Sequence, residues 1–167
     1  AVALARVGVG KLIVADFDVI EPSNLNRQYF FRDQAGMSKA MALKDVIGKI
    51  DAAILVEAHH VVLTPENIPG IFSGCDVIVE AFDRAEMKEM IIESCSTAMP
   101  DVPLVCGVGL AGWGGNGLIG TWRSGNIYIC GDRTNEVSPD FPPLAPRVGI
   151  VACMQANQVL EILLGKM

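Results

Sequence analysis

Lys11-Leu-Ile-Val-Ala-Asp16-Phe-Asp18-Val-Ile-Glu21-Pro-Ser-Asn24-Leu-Asn26-Arg27-Gln28 is the stretch on which the fold turns. Its opening residues are mostly apolar, and such a short run suits a strand buried on both faces of a parallel sheet. The run ends on an acid. Residues 17–35 then form a largely polar loop with the turn formers Pro22, Ser23, Asn24 and Asn26. Before the strand, residues 1–8 read as the back half of an apolar helix that stops at Gly8. In a dinucleotide-binding unit the acid at the end of the second strand accepts hydrogen bonds from ribose hydroxyls. Asp16 stands at that place. A helix that starts in mid-pattern leads us to expect residues upstream of Ala1.

Downstream the rhythm continues as helix and strand in alternation. Met37, Met41, Val46, Ile47 and Ile50 have helical spacing over residues 36–50, and residues 54–60 read as a strand. The pattern predicts a short helix over 64–72, with Thr64 as N-cap and Pro65 at its first position. A buried strand follows over 76–81, a helix over 84–98 and a strand over 103–106. This order implies right-handed crossovers and a doubly wound α/β sheet. The texture then changes. Residues 107–120 are glycine-rich, and residues 118–122 and 126–130 read as a hairpin joined at Arg123-Ser-Gly125. A polar loop with four prolines fills 132–147. An apolar helix over 148–164 is closed by Gly165 and Lys166.

Composition sets outer bounds. The chain has 167 residues, 51% hydrophobic and 19% charged, which is a globular composition with enough length for one core. The net charge of −6 and the lack of a basic run speak against nucleic acid or an anionic membrane as the main partner. No apolar run reaches the roughly 18–20 residues of a membrane span. The five cysteines are widely spaced, without a Cys-x-x-Cys pair, so neither a disulfide framework nor a four-cysteine zinc site is expected. They fit a reducing cytoplasm as buried small apolar groups.

Arg27 and Arg32 follow Asp16 at what would be the C-terminal edge of the sheet, where a guanidinium fork suits triphosphate oxygens. Two other patterns are weaker. Gly107-Val-Gly109-Leu-Ala-Gly112 fits a dinucleotide fingerprint, but Trp113-Gly-Gly-Asn follows where a helix should begin, so it reads as a loop of close backbone approach. His59 and His60 are adjacent in a strand and point to opposite faces, which makes a shared metal unfavourable.

Asp16-Phe-Asp18, a spacer and then Ser23-Asn24-Leu-Asn26-Arg27-Gln28 resemble the signature of ThiF, MoeB and the adenylation domains of ubiquitin-activating enzymes. Gly36-Met-Ser-Lys39 resembles that family's Gly-x-x-Lys, Glu80-Ala-Phe-Asp83 its Asp-x-x-Asp, and Pro146-Arg147-Val-Gly149 its closing segment. The resemblance implies a Rossmann-like, doubly wound, mainly parallel sheet with an added antiparallel hairpin. The whole of residues 1–167 would be a single domain lacking its first strand and glycine-rich loop. It implies binding of ATP and Mg2+, with Asp16 on the ribose, Asn24, Arg27 and Lys39 on the phosphates, and Gln28 supporting the loop or touching phosphate. Arg27 and Lys39 would stabilise the leaving pyrophosphate, and Asp83 would hold Mg2+.

The activity implied is adenylylation of the C-terminal glycine carboxylate of a ubiquitin-like sulfur carrier protein by a homodimer. Gly109-Leu-Ala-Gly-Trp-Gly-Gly-Asn and Asn126-Ile-Tyr-Ile-Cys-Gly-Asp132 resemble short, zinc-free ThiF-like proteins of thiamine biosynthesis. A ThiS-like carrier is therefore the expected partner. The loop before the last helix carries no cysteine, and Cys130 is the nearest thiol upstream. Two alternatives stay open: activation of a tRNA base, and a non-catalytic nucleotide-fold scaffold.

Overall fold

The computed structural model describes residues 1–165, and Lys166, expected to help close the last helix, lies outside them. The chain folds as two compact units, Ala1–Thr64 and Pro65–Met167.

In the first unit, helix α1 (Val2–Arg6) precedes strand β1 (Lys11–Ala15), helix α2 (Lys39–Ile50) and strand β2 (Leu55–His59). β1 and β2 pair in parallel, with Lys11 opposite Leu55 and Ala15 opposite His59. Ala5, Ile47, Ile54 and Val56 form the core, and Leu12, Val14, Leu43 and Ile50 pack on it. Fully burying a side chain such as Ile47 contributes about 1.5–3 kcal/mol. α2 starts three residues later than its apolar spacing predicts. Gly36 has a φ of +86°, which the right-handed helix does not admit. Its neighbours Met37 and Ser38 are held against the loop after β1 instead of coiling.

The second unit runs through α3 (Ile68–Phe72), β3 (Ile78–Val79), α4 (Ala85–Ala98), β4 (Leu104–Val108), β5 (Gly120–Ser124), β6 (Ile127–Gly131) and α5 (Ala145–Leu164). Its sheet has the order β3-β4-β6-β5. β3, β4 and β6 run parallel, and β5 closes the edge as the antiparallel partner of β6. The expected hairpin is therefore present, shifted toward the C-terminus because Asn116–Leu118 form a turn of 3-10 helix. β4 is buried along almost its whole length, as a central strand covered on both faces should be.

Two expected helix starts are corrected. α3 begins at Ile68 with Asn67 as N-cap, not at Thr64 and Pro65. Pro69 lies in its first turn, where a missing N–H costs nothing. α5 begins at Ala145 rather than Val148, so Pro146 and Arg147 belong to its first turn and not to the preceding loop. Ordered by strand and helix, the chain is an α/β protein with parallel strands in both units.

Candidate functional site

Asp16 directly follows β1 and continues its ladder, donating its N–H to His59 O at 3.1 Å. Its carboxylate Oδ1 accepts the Asp18 N–H at 2.8 Å. Burial pushes the Asp16 carboxyl up, and the Asp18 amide and the Lys39 ammonium pull against that rise. Lys39 opens α2. Its backbone N–H donates to Asp18 O at 3.0 Å, and its Nζ donates to Asp18 Oδ2 at 2.6 Å. The ammonium side chain is 11% exposed while the Asp18 carboxylate is 47% exposed. The pair is thus held from one side and open on the other.

The loop between them is closed at its neck. Ile20 N–H donates to Met37 O at 2.9 Å, Gly36 N–H donates to Ile20 O at 2.8 Å, and Val19 bridges Ser38. Within the loop, Pro22–Asn26 form a 3-10 turn. Asn24 is buried, and its Oδ1 accepts the Glu21 N–H at 3.0 Å, so its amide oxygen builds the turn. Arg27 caps that turn, with Nη1 donating to Ser23 O at 3.2 Å and to Asn26 Oδ1 at 2.9 Å. The Gln28 N–H donates to Asn24 O at 2.9 Å. Its side-chain Oε1 is buried and finds no hydrogen-bond partner. That atom as placed accepts, so it suits a hydroxyl; a phosphate oxygen needs the amide turned to present Nε2.

The fold therefore gathers Asp16, Asn24, Arg27, Gln28 and Lys39 in the first unit, on and after the C-terminal end of a parallel strand. Open α/β sheets bind ligands at that edge. Asp83 lies in the second unit. It is exposed, follows β3 and makes no hydrogen bond or ion pair among the described residues. Arg84 occupies the N-cap of α4. No group of three or more His, Cys, Asp and Glu residues is placed to hold a metal among the described residues. Two hollows, of about 580 and about 780 Å³, are lined by none of these six residues. The first lies along α2 at Lys44 and Gly48 and reaches Ile54 beyond the helix, and the second lies along α5 at Cys153 and Asn157.

The glycine-rich run behaves as a site of close backbone approach. Gly109 has a φ of +63°, and a Cβ there would lie 2.0 Å from Asp132 O. No α-helix follows it before β5. His60 Nδ1 lies 3.0 Å from Ser38 Oγ, an ordinary side-chain contact. Cys130 is buried and burial pushes its thiol up, a poor setting for a nucleophile.

Three pairings were not foreseen. Asp18 is the partner of Lys39. Lys88 meets the buried Glu80 at 2.7 Å, and Arg147 meets the buried Asp132. Burial pushes Glu80 up, against the pull of Lys88. Burial alone would raise Asp132 too, but hydrogen bonds from Thr134 and Asn135 and the Arg147 charge hold it down at about 2. Cys106, buried beside Glu80, is pushed up to about 12. No sequence signal marked these two cations: the start of α5 before Arg147 became visible only in the fold, and Lys88, 23% exposed, is the fourth residue of α4.

The ThiF family model matches residues 1–167. The adenylyltransferase and sulfurtransferase MOCS3 of Dictyostelium discoideum is 30% identical over 98% of this chain, and that of Xenopus laevis is 30% identical over 97%. The chain spans only 39% and 37% of those two relatives. Among solved structures, the E. coli tRNA N6-threonylcarbamoyladenosine dehydratase TcdA in complex with AMP superposes with a TM-score of 0.86 at 22% identity, over 98% of this chain and 80% of that one. E. coli MccB with ATP gives a TM-score of 0.70 at 20% identity, over 96% of this chain and 50% of that one. At such identities the likeness concerns the fold, which is Rossmann-like.

Proposed function

The chain belongs to the ThiF family, and from that premise we propose that it is an ATP-dependent adenylyltransferase. Its substrate would be the C-terminal glycine carboxylate of a ubiquitin-like sulfur carrier of the ThiS type, in thiamine biosynthesis. The observation that carries the reading is the Lys39–Asp18 pair beside Asp16, open on one side at the end of β1. The name adenylyltransferase borne by the relatives supports it.

The reaction asks for positioning and charge neutralisation more than for bond-making by the protein. A carboxylate oxygen of the carrier attacks the α-phosphorus. The bond to the bridging oxygen breaks, and pyrophosphate departs with the electron pair. Asp16 has a free lone-pair side for ribose hydroxyls. Lys39 can leave Asp18 for a phosphate oxygen, because a triphosphate offers more negative charge than one half-exposed carboxylate. Arg27 uses Nη1 on its own loop, which leaves Nη2 and Nε for phosphate. Asn24 offers its amide NH2 group to phosphate, since only its Oδ1 serves the turn.

Mg2+ would supply further neutralisation of phosphate charge. It commonly takes only one or two protein carboxylates and completes its shell with phosphate and water. The exposed carboxylate of Asp83 fits that mode as its ligand. A homodimer is part of the same proposal, as is a cytoplasmic location.

The test is ATP–pyrophosphate exchange by the full-length protein, measured with and without purified carrier. Carrier-dependent exchange is expected; full-length protein that exchanges with no ubiquitin-like carrier sinks the reading. A second reading is activation of a tRNA base, favoured by the fold likeness to TcdA. The net charge of −6 opposes it, because tRNA binding rests on cations that neutralise phosphates. Tight tRNA binding that weakens steeply with salt, alongside silent carrier assays, would favour it. A protein that does not bind ATP would instead be a scaffold.

A further inference from the structure

β3, β4 and β6 are parallel, so the loops after them leave the same edge of the second unit's sheet. These are residues 80–84, which carry Asp83, residues 109–119, and residues 132–144. Two cations lace them together. Lys88 Nζ donates to Glu80 Oε1 at 2.7 Å, to Glu80 Oε2 at 2.9 Å and to Gly107 O at 2.9 Å. It thereby ties the end of β3 to the end of β4. Arg147 donates from Nε to Gly109 O at 3.0 Å, from Nη1 to Gly114 O and from Nη2 to Asp132 Oδ2. It ties the loop after β4 to the loop after β6. Asp132 in turn accepts from the Thr134 N–H at 2.7 Å, the Thr134 hydroxyl at 2.6 Å and Asn135 Nδ2.

Stability alone does not explain these two cations. Buried ion pairs are often no better than apolar packing, because desolvation offsets the attraction. Arg147 is the third residue of α5 and Lys88 the fourth of α4, near helix starts where the dipole disfavours positive charge. What they achieve is geometry. The Lys88 ammonium meets three protein acceptors, and the Arg147 fork reaches three acceptors on two loops. Arg147 is 3% exposed. Its clamp also fixes the loop from which Trp113, 66% exposed, stacks on Phe141 with ring centroids 5.4 Å apart and planes 7° from parallel.

We propose that Lys88 and Arg147 are positioning residues for the adenylation reaction. They set the three loops of this edge, and Asp83 with them, without touching ATP. This rests on the function proposed above. Removing either cation loosens its loops while the sheet persists. Small misplacements at a reacting centre are costly, so kcat should fall by about tenfold to a hundredfold. The KM for ATP should move by less than about threefold, because the residues on ribose and phosphate lie in the first unit.

The experiment compares full-length wild type with Arg147→Lys and Lys88→Met. Lysine at 147 keeps the charge but cannot reproduce the fork. Thr134→Val, which removes the hydroxyl hydrogen bond to Asp132 and leaves the backbone one and both cations in place, is the mildest variant and decides if the others do not fold. One measurement is carrier-dependent exchange, with kcat and KM separated. The other is chymotryptic nicking under native conditions, located by mass spectrometry. Nicking after Trp113 should accelerate about tenfold or more in Arg147→Lys and Thr134→Val, and nicking after Phe82 in Lys88→Met. A folded variant with unchanged nicking overturns the inference. So does accelerated nicking with unchanged kcat. Absence of exchange in the wild type overturns the adenylation reading, and the positioning role in that reaction with it. The nicking result then still decides whether the two cations hold the loops.

Discussion

Two of the molecule's cation–carboxylate pairs, Lys39–Asp18 and Arg147–Asp132, join the same kinds of charge and differ in their surroundings. Lys39 and Asp18 meet beside the end of β1, with the carboxylate half in solvent. Arg147 and Asp132 meet where both side chains are almost wholly enclosed, and every nitrogen of the guanidinium finds a protein acceptor. The first pair is held by one side-chain hydrogen bond, with its carboxylate half in solvent. The second cannot exchange partners without unfolding two loops. Charge identity therefore says little about whether a residue binds a ligand. The number of protein acceptors already around it, and the water left beside it, decide the matter.

The largest effect should come from breaking the closed pair. Asp132→Asn leaves the Arg147 charge buried beside neutral oxygens and is expected to cost about 3–5 kcal/mol in urea unfolding. The pH dependence sharpens this. The Asp132 carboxyl lies at about 2 in the folded chain, below its unfolded value of 3.8, so the folded state binds its proton more weakly. Its contribution is present above about pH 4 and is lost as pH falls toward 2. The stability gap between wild type and Asp132→Asn should accordingly shrink between pH 5 and pH 3. A gap that stays constant would mean that Asp132 is not held low.

Next in size is Lys39→Met. It should cut the exchange rate by on the order of 10²–10³-fold with little change in unfolding midpoint, since the open pair contributes little to stability. A variant that loses stability and keeps its rate would reverse the comparison. Arg27→Ala should lower the rate by about 10²-fold and weaken ATP binding less, as read by calorimetry beside the exchange assay. An unchanged rate would remove Arg27 from the chemistry.

Asp18→Asn is expected to shift stability by less than about 1 kcal/mol. By releasing Lys39 it should leave ATP affinity equal or slightly higher, and a large loss of affinity would show that Asp18 itself serves the nucleotide. The smallest effect belongs to Cys130→Ala, which should leave the exchange rate within about twofold because the thiol is buried and held protonated.

Much of the fold was legible along the chain. β1, β2, β4 and α4 stand within about two residues of their expected places, because strands buried on both faces are written as continuous apolar runs. The ends were less legible. Pro146 read as loop but sits in the first turn of α5, and Gly36 read as helix but turns left-handed. For the proposed site, the strand-end acid Asp16 and the arginines of its loop stand out by position, whereas the roles of Asn24, Gln28, Lys39 and Asp83 rest on the resemblance alone. The Asn24 side chain shows the limit, because the same amide that matches the family signature also builds its own turn.

What the sequence determined by itself is the order of strands and helices and the identity of the groups at the end of β1. Local periodicity and turn chemistry encode the first, and an unusual run of residue types encodes the second. What only the tertiary structure decided is which charges are still available. Glu80 and Lys88 are 8 residues apart in the chain, and Asp132 and Arg147 are 15 apart. Nothing in their spacing marks them as partners. Burial joined them, because a charge taken out of water must find an opposite charge and a set of hydrogen bonds. The same physics left Lys39 with a single side-chain partner, Asp18, whose carboxylate is half in solvent.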